Sequence, residues 1–139
     1  MVGAGYALSN NKVDLNDADI KIANQIESKL LDSKFNLLSS INFESLTSDK
    51  ALQILYILKD KEKIIQIDSD LWIHRNCYNN LLMLLTSFFD TNKYLSISEF
   101  KSLTSTTRKN AIPLLEYCDK SDLTIRENNN RTRGEFLNA

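Results

Sequence analysis

Several residue types are scarce in this chain of 139 residues, and each scarcity excludes a class of protein. There are two cysteines, one histidine, one proline and three glycines. Cys77 and Cys118 lack the spacing of a zinc site, and each falls among apolar residues of a predicted helix, which favours buried thiols. No apolar run reaches the roughly eighteen residues of a membrane span, and no secretory signal pattern is present. The sequence therefore predicts a cytoplasmic protein that holds no metal and enters no membrane.

Catalytic motifs are also missing. His74, the single histidine, has no nucleophile or metal partner nearby in sequence, so we predict a packing or hydrogen-bonding role for it. The run Gly3-Ala4-Gly5 is not a phosphate loop, because neither a strand nor a Lys-Ser/Thr pair accompanies it. We therefore expect no enzyme activity, no catalytic residues and no cofactor.

Charge of neither sign dominates the chain as a whole. The formal net charge is −1, which argues against a protein that coats nucleic acid indiscriminately. The average hides an asymmetry: residues 1–92 hold nine Lys and Arg against twelve Asp and Glu, whereas residues 93–139 hold eight against six. A basic patch on a nearly neutral body is typical of selective binding.

What the sequence does contain is a repeated order of elements. Hydrophobic residues make up 42% of the chain, which is typical of globular proteins. Periodicity predicts a helix that is capped by Asp17 or Asp19, a short helix near Phe43 and Leu46, and a third helix capped by Ser48-Asp49. Strands at 64–67 and 71–73 follow, joined by the turn Asp68-Ser-Asp70.

The second half repeats this order with a helix, a compact helix, another helix and a hairpin. The predicted segments are 76–90, ended by Asn92, a short strand at 94–97, helices at 98–103 and 107–120, and a hairpin at 123–133. Pro113 predicts a kink in the last helix. Three helices with a β-hairpin form a winged helix. We therefore predict a mostly helical α+β fold: a flexible lead-in at 1–16, then tandem winged-helix domains at 17–75 and 76–139.

The candidate binding site lies in the second unit. Four of the five arginines fall between residues 108 and 133. Arg108 and Lys109 open the helix at 107–120, where positive charge opposes the helix dipole. Free backbone N–H groups at such a terminus attract phosphate, so we expect a bound polyanion to offset this cost.

The hairpin supplies the remaining cations. Alternation along the strand predicts that Leu123 and Ile125 face inward and that Thr124 and Arg126 face outward. Arg131 and Arg133 share one face, so we expect the arginines to converge beside the helix tip. In the first unit, Ser48-Asp49, Asp68 and Asp70 occupy the corresponding places and would repel phosphate.

These patterns leave three functions open. A helix fits the DNA major groove, whereas contacts confined to a helix tip and wing suit an RNA hairpin with extruded bases. The hypotheses are an RNA-binding module, a winged-helix transcriptional regulator that binds DNA, and a scaffold that binds protein through the acidic first unit.

The residues that carry the candidate site also carry a resemblance to a family. The segments Arg108-Lys109, Leu114-Leu-Glu-Tyr-Cys-Asp119, Leu123-Thr-Ile-Arg126 and Arg131 resemble the last winged-helix domain of SelB, the bacterial selenocysteine-specific elongation factor family. The resemblance implies that Arg108, Lys109, Arg126 and Arg131 occupy RNA-site positions. Arg133 joins them by its place on the strand, and the hydroxyl residues Ser105 and Thr107 complete the candidate set.

The resemblance also implies a function. The chain would bind the selenocysteine insertion element (SECIS), an mRNA hairpin downstream of a UGA codon, and so tether the translation factor to its message. GTP, the selenocysteinyl-tRNA and the ribosome would be bound by domains outside this sequence, which has no P-loop. We expect the chain itself to be a monomer.

Overall fold

The computed structural model describes residues 16–47 and 50–138. Two groups of elements follow one another along the chain. The first comprises α1 (Asp17–Ser33), a 3-10 turn (Ser40–Phe43), α2 (Glu44–Thr47), α3 (Ala51–Asp60), β1 (Ile64–Asp68) and β2 (Leu71–His74). The predicted lead-in at 1–16 falls, except for Asn16, outside the described residues, as does the Ser48-Asp49 cap.

The second group begins without a loop. It comprises α4 (Arg75–Thr91), β3 (Leu95–Ser96), α5 (Ile97–Thr104), α6 (Arg108–Lys120), β4 (Thr124–Glu127), β5 (Asn130–Arg133) and a 3-10 turn (Glu135–Asn138). The ring of His74 joins the groups, because its Nδ1 accepts a hydrogen bond from the Asn76 N–H and caps α4, while its Nε2 lies 3.0 Å from Glu27 Oε1. The histidine therefore has the structural role predicted for it.

Each group contains an antiparallel hairpin. In the first, Ile65 lies opposite Ile73 and Gln66 opposite Trp72. In the second, β5 is the middle strand of a three-stranded sheet, between β3 and β4. Arg131 lies opposite Arg126 on β4 and opposite Leu95 on β3.

Two hydrophobic clusters form the core, and the β1–β2 hairpin lies between them. Ile64 and Trp72 belong to the cluster of α1 and α3. Their neighbours Ile65 and Ile73 belong to the cluster of α4, α5 and α6. Successive side chains on a strand point to opposite faces, so this hairpin is buried on both sides. The first hairpin is therefore an internal layer of the protein rather than a free wing. The division into domains at 17–75 and 76–139 stays a prediction.

The structure corrects the predicted N-cap of α1 and confirms the predicted burial of the cysteines. Asn16, rather than Asp17 or Asp19, caps α1, because its side-chain oxygen accepts from the Asp19 N–H at 2.8 Å. Both cysteines are buried free thiols, as predicted. Burial raises the pKa of Cys118 to about 12, so this thiol stays protonated at neutral pH.

No helix among the described residues is long and apolar enough to cross a membrane. Nor do those residues place three or more His, Cys, Asp or Glu side chains where they could hold a metal ion.

Candidate nucleic-acid interface

The start of α6 presents two exposed cations. Thr107 precedes the helix as its N-cap, and Arg108 and Lys109 form the first turn. Within the described residues, neither side chain forms a salt bridge or hydrogen bond. The first N–H groups of a helix have no partner within it. This turn therefore offers both positive charge and unpaired donors to an anion.

Residues from the first group hold this turn in place. The Asn110 side chain accepts from the Leu37 N–H at 3.1 Å and donates to Asn36 Oδ1 at 3.2 Å. The Thr106 hydroxyl donates to the same Asn36 oxygen at 2.6 Å. No local pattern in the sequence signals these bonds, because Asn36 and Asn110 lie 74 residues apart. Arg108 and Lys109 thus project from an anchored turn.

The hydroxyl residues of this loop divide into different roles. Ser105 has a left-handed φ of 54° and ends α5, with its side chain exposed. The Thr107 side chain is also exposed, and its hydroxyl accepts from the Asn110 amide at 3.3 Å. Thr104 is buried and donates back to the Phe100 carbonyl. Ser105 and Thr107 therefore lie at the surface beside the two cations.

The Arg131 side chain lies inside the protein. The residue is only 3% exposed, and its Nη2 donates to Asp119 Oδ2 at 2.9 Å. The Thr124 hydroxyl donates to the other oxygen of Asp119 at 2.6 Å. Asp119 is eleven residues after Arg108, which places it about 16 Å further along the α6 axis. Arg131 thus fastens the hairpin to the far end of the helix, and the expectation that it converges with the other cations beside the helix tip is wrong.

The predicted facing of the side chains at β4 is wrong for Thr124 and Ile125, whereas Leu123 is buried and Arg126 is exposed, as predicted. Thr124 is 1% exposed, whereas Ile125 is 52% exposed. Directly opposed residues share a face, and Thr124 lies opposite Arg133 while Arg126 lies opposite Arg131. Asp119 satisfies Thr124 and Arg131 on this face, which therefore packs on α6. Ile125 is left on the open side.

The other two arginines of the hairpin differ in exposure and in their ion pairs. Arg133 Nη1 lies 3.0 Å from Asp90 Oδ1, and Nη2 donates to the Leu137 carbonyl. Its Nε is buried and has no hydrogen-bond partner among the described residues. Arg126 is exposed near the hairpin turn, and its Nε donates only to the Asn128 carbonyl. The exposed cations without an acidic partner in the described part of this segment therefore include Arg108, Lys109 and Arg126.

The helix continues through its proline. α6 runs unbroken from Arg108 to Lys120. Pro113 is half-buried and lies on the side opposite the buried residues Ala111, Leu115 and Cys118. Because proline has no N–H, the carbonyl of Lys109 lacks its usual helical partner.

Of the two aspartates at the first hairpin turn, one forms hydrogen bonds that hold the fold together. Asp70 accepts from the Ser40 hydroxyl at 2.6 Å and from the Trp72 indole at 2.9 Å. Asp68 is exposed and accepts only from the Ser69 N–H. The expected repulsion of phosphate at this turn therefore falls mainly to Asp68.

Helices that lead to a hairpin packed on the last of them define a winged-helix protein. Residues 87–133 match the family model described as elongation factor SelB, winged helix. This segment is therefore similar to the winged helix of elongation factor SelB. A selenocysteine-specific elongation factor from Desulfomicrobium baculatum is 31% identical over 81 residues, which make up 58% of this chain and 13% of that protein.

Two solved structures share the fold. One is the mRNA-binding domain of elongation factor SelB from E. coli in complex with SECIS RNA, with a TM-score of 0.72 at 15% identity, covering 87% of this chain and 100% of that one. The other is a bacterial selenocysteine-specific elongation factor, with a TM-score of 0.65 at 24% identity, covering 88% of this chain and 20% of that one. The likeness extends over both groups of elements, and the chain spans only a small part of the full-length factors.

Proposed function

We propose that this chain binds the SECIS hairpin of an mRNA and thereby tethers a selenocysteine-specific elongation factor to its message for UGA recoding. The observation that carries the proposal is the anchored first turn of α6, where Arg108 and Lys109 are exposed without an acidic partner among the described residues. The similarity of residues 87–133 to the winged helix of elongation factor SelB supports the choice of ligand.

The chemistry of the turn suits an RNA phosphate. Arginine presents a planar fork of donors that matches phosphate oxygens, and lysine adds a point charge beside it. The helix dipole and the free N–H groups favour an anion at the same place. Arg126 on the hairpin would contact a second part of the RNA backbone, and Ser105 and Thr107 would act as neutral donors beside Arg108 and Lys109.

RNA suits this surface better than duplex DNA. The partly exposed side of α6 carries Ile112, Pro113 and Glu116 beyond its first turn, and these residues offer little for reading base edges in a major groove. A contact made by a helix tip and a hairpin suits a folded RNA whose loop or bulge projects bases. Arg131 and Arg133 would position this surface rather than form it.

The remaining partners belong to the larger protein. We propose that GTP, the selenocysteinyl-tRNA and the ribosome are bound through other domains of the factor, and that this chain acts in the cytoplasm as a monomeric, non-catalytic module. It would need no cofactor, because its chemistry is ion pairing and hydrogen bonding.

A competition assay tests the choice of ligand. A labelled hairpin RNA with one bulged base is bound to the protein and displaced by unlabelled hairpin or by duplex DNA of equal length. We expect the RNA to displace the label at the lower concentration, because its loop and bulge fit the α6 tip. More efficient displacement by the duplex DNA would instead assign the chain to the DNA-binding regulators.

A further inference from the structure

A cleft of about 390 Å³ lies between the two groups of elements. Residues of α3, β1, α4, α6 and the C-terminal 3-10 turn line it, and they include Lys59, Gln66, Arg75, Tyr78, Tyr117 and Phe136. This volume falls within the range of small-ligand pockets. None of these residues belongs to the proposed RNA surface, which comprises Arg108, Lys109, Arg126, Ser105 and Thr107.

Aromatic rings form one part of the lining. The rings of Tyr78 and Tyr117 meet edge to face, with centroids 6.0 Å apart. Phe136 belongs to the same lining and is 55% exposed, so part of its ring is open to a ligand. Burial raises the pKa of Tyr78 to about 12, so its hydroxyl remains a neutral donor. Exposed aromatic faces beside a polar group are the features on which nucleic-acid bases stack.

The other part of the cleft lining carries positive charge that no carboxylate in the lining neutralises. Lys59 donates to Gln66 Oε1 at 2.8 Å, and Arg75 Nε donates to the Glu62 carbonyl at 3.2 Å. Neither forms a salt bridge within the described residues, and the side chains that line the cleft include no carboxylate. The cleft therefore favours an anionic ligand over a neutral one.

One helix, α6, carries residues of both the cleft and the proposed RNA surface. Lys109, Pro113 and Tyr117 are spaced four residues apart, and Lys120 follows three later, so all lie on one stripe of the helix. Lys109 and Tyr117 are separated by about 12 Å along the helix axis. An RNA strand held at the tip of α6 can follow this stripe to the cleft.

We propose that the cleft receives an unpaired base from a single-stranded segment that adjoins the bound hairpin, stacked against Phe136 and Tyr117, with Lys59 and Arg75 binding the flanking phosphates. The inference rests on the proposed hairpin binding and extends it to a second contact. It predicts that the factor recognises RNA beyond the folded element itself.

Two RNAs that differ only in their single-stranded flanks test this inference. One is a bulged hairpin with unpaired extensions at both ends, and the other is the same hairpin trimmed to its stem. We expect Phe136→Ala to weaken binding of the extended RNA about fivefold or more, the size expected when one stacked base is no longer held. Lys59→Ala should also weaken it, because a phosphate contact is lost. Binding of the trimmed RNA should stay unchanged.

Met83→Ala and Lys21→Ala are matched controls, since both residues are exposed and lie on other surfaces. Equal losses of affinity for the two RNAs, or no loss for either, would overturn the cleft proposal. If the wild-type protein fails to bind even the trimmed hairpin, the proposed function fails instead. The two failures are therefore distinguishable.

Photocrosslinking detects contact with the RNA itself, so a residue with a purely structural role would give no crosslink. A 5-bromouridine in the unpaired extension should crosslink to Tyr117, Tyr78 or Phe136, which line the cleft. Crosslinks confined to residues elsewhere, such as the exposed side of α1, would contradict the assignment.

Discussion

At the scale of single residues, two arginines of the candidate RNA site lie in opposite environments. Arg131 is buried against Asp119, and Thr124 shares the same carboxylate. Arg108 is exposed and has no such partner among the described residues. The motif that suggested an RNA site therefore contains a structural network as well, in which Asp119, Thr124 and Arg131 fix the hairpin on α6.

Arg131→Ala should lower the free energy of unfolding, because the side chain forms a mostly buried ion pair. Removal of the guanidinium leaves Asp119 without its partner, and breaking a buried pair in this way costs about 3–5 kcal/mol. Because the Asp119 side chain is still 22% exposed, water screens part of the effect, and we expect a cost of about 2–3 kcal/mol. Urea unfolding measures the difference.

Arg108→Ala serves as the comparison, since an exposed substitution away from packing changes stability by about 0.5 kcal/mol or less. Unchanged stability of Arg131→Ala, together with weaker RNA binding, would show instead that Arg131 contacts the ligand.

At the scale of elements, the segment 35–38 links the first hairpin to α6. Leu38 pairs with Trp72 through two backbone hydrogen bonds, and Asn36 and Leu37 bind the Asn110 side chain. One short stretch therefore ties the buried hairpin to the turn that carries Arg108 and Lys109.

Asn110→Ala should loosen that turn. The substitution leaves the partly buried Leu37 N–H without an acceptor, at a cost of about 1–3 kcal/mol. We expect faster hydrogen exchange at the Leu37 amide and weaker RNA binding. Asn80→Ala, an exposed asparagine on α4, is the control. Unaltered exchange at Leu37 would mean that this hydrogen bond does not hold α6.

Periodicity is enough to place the elements. Apolar spacing identifies α1, α3, α4 and α6 to within a few residues, because each buries one regular face, and turn residues mark the two hairpins. Hydrogen bonds between elements cannot be predicted from periodicity, because Asn36 and Asn110 carry no local signal of their pairing. The predicted facing fails at Thr124 and Ile125 because Asp119, on another element, accepts a hydrogen bond from Thr124 and outweighs the local alternation.

At the scale of the whole molecule, the two groups of elements share a core. Ile65 and Ile73 from the first hairpin pack in the same cluster as Leu85 and Leu115 from the second group. With that hairpin buried on both faces, the second hairpin and the α6 tip carry the proposed RNA surface. The first group then acts as a support for α6 and forms one wall of the cleft.

The most direct measurement compares RNA binding by Arg108→Ala/Lys109→Ala, Lys21→Ala and the wild type over a range of salt concentrations. If these cations bind phosphates, the double variant binds the bulged hairpin more weakly, and its slope of log affinity against log salt is shallower by about one for each phosphate that it no longer binds. Its unfolding midpoint should match that of the wild type, and Lys21→Ala should behave like the wild type. Equal affinity and an equal salt slope for the double variant would contradict the account.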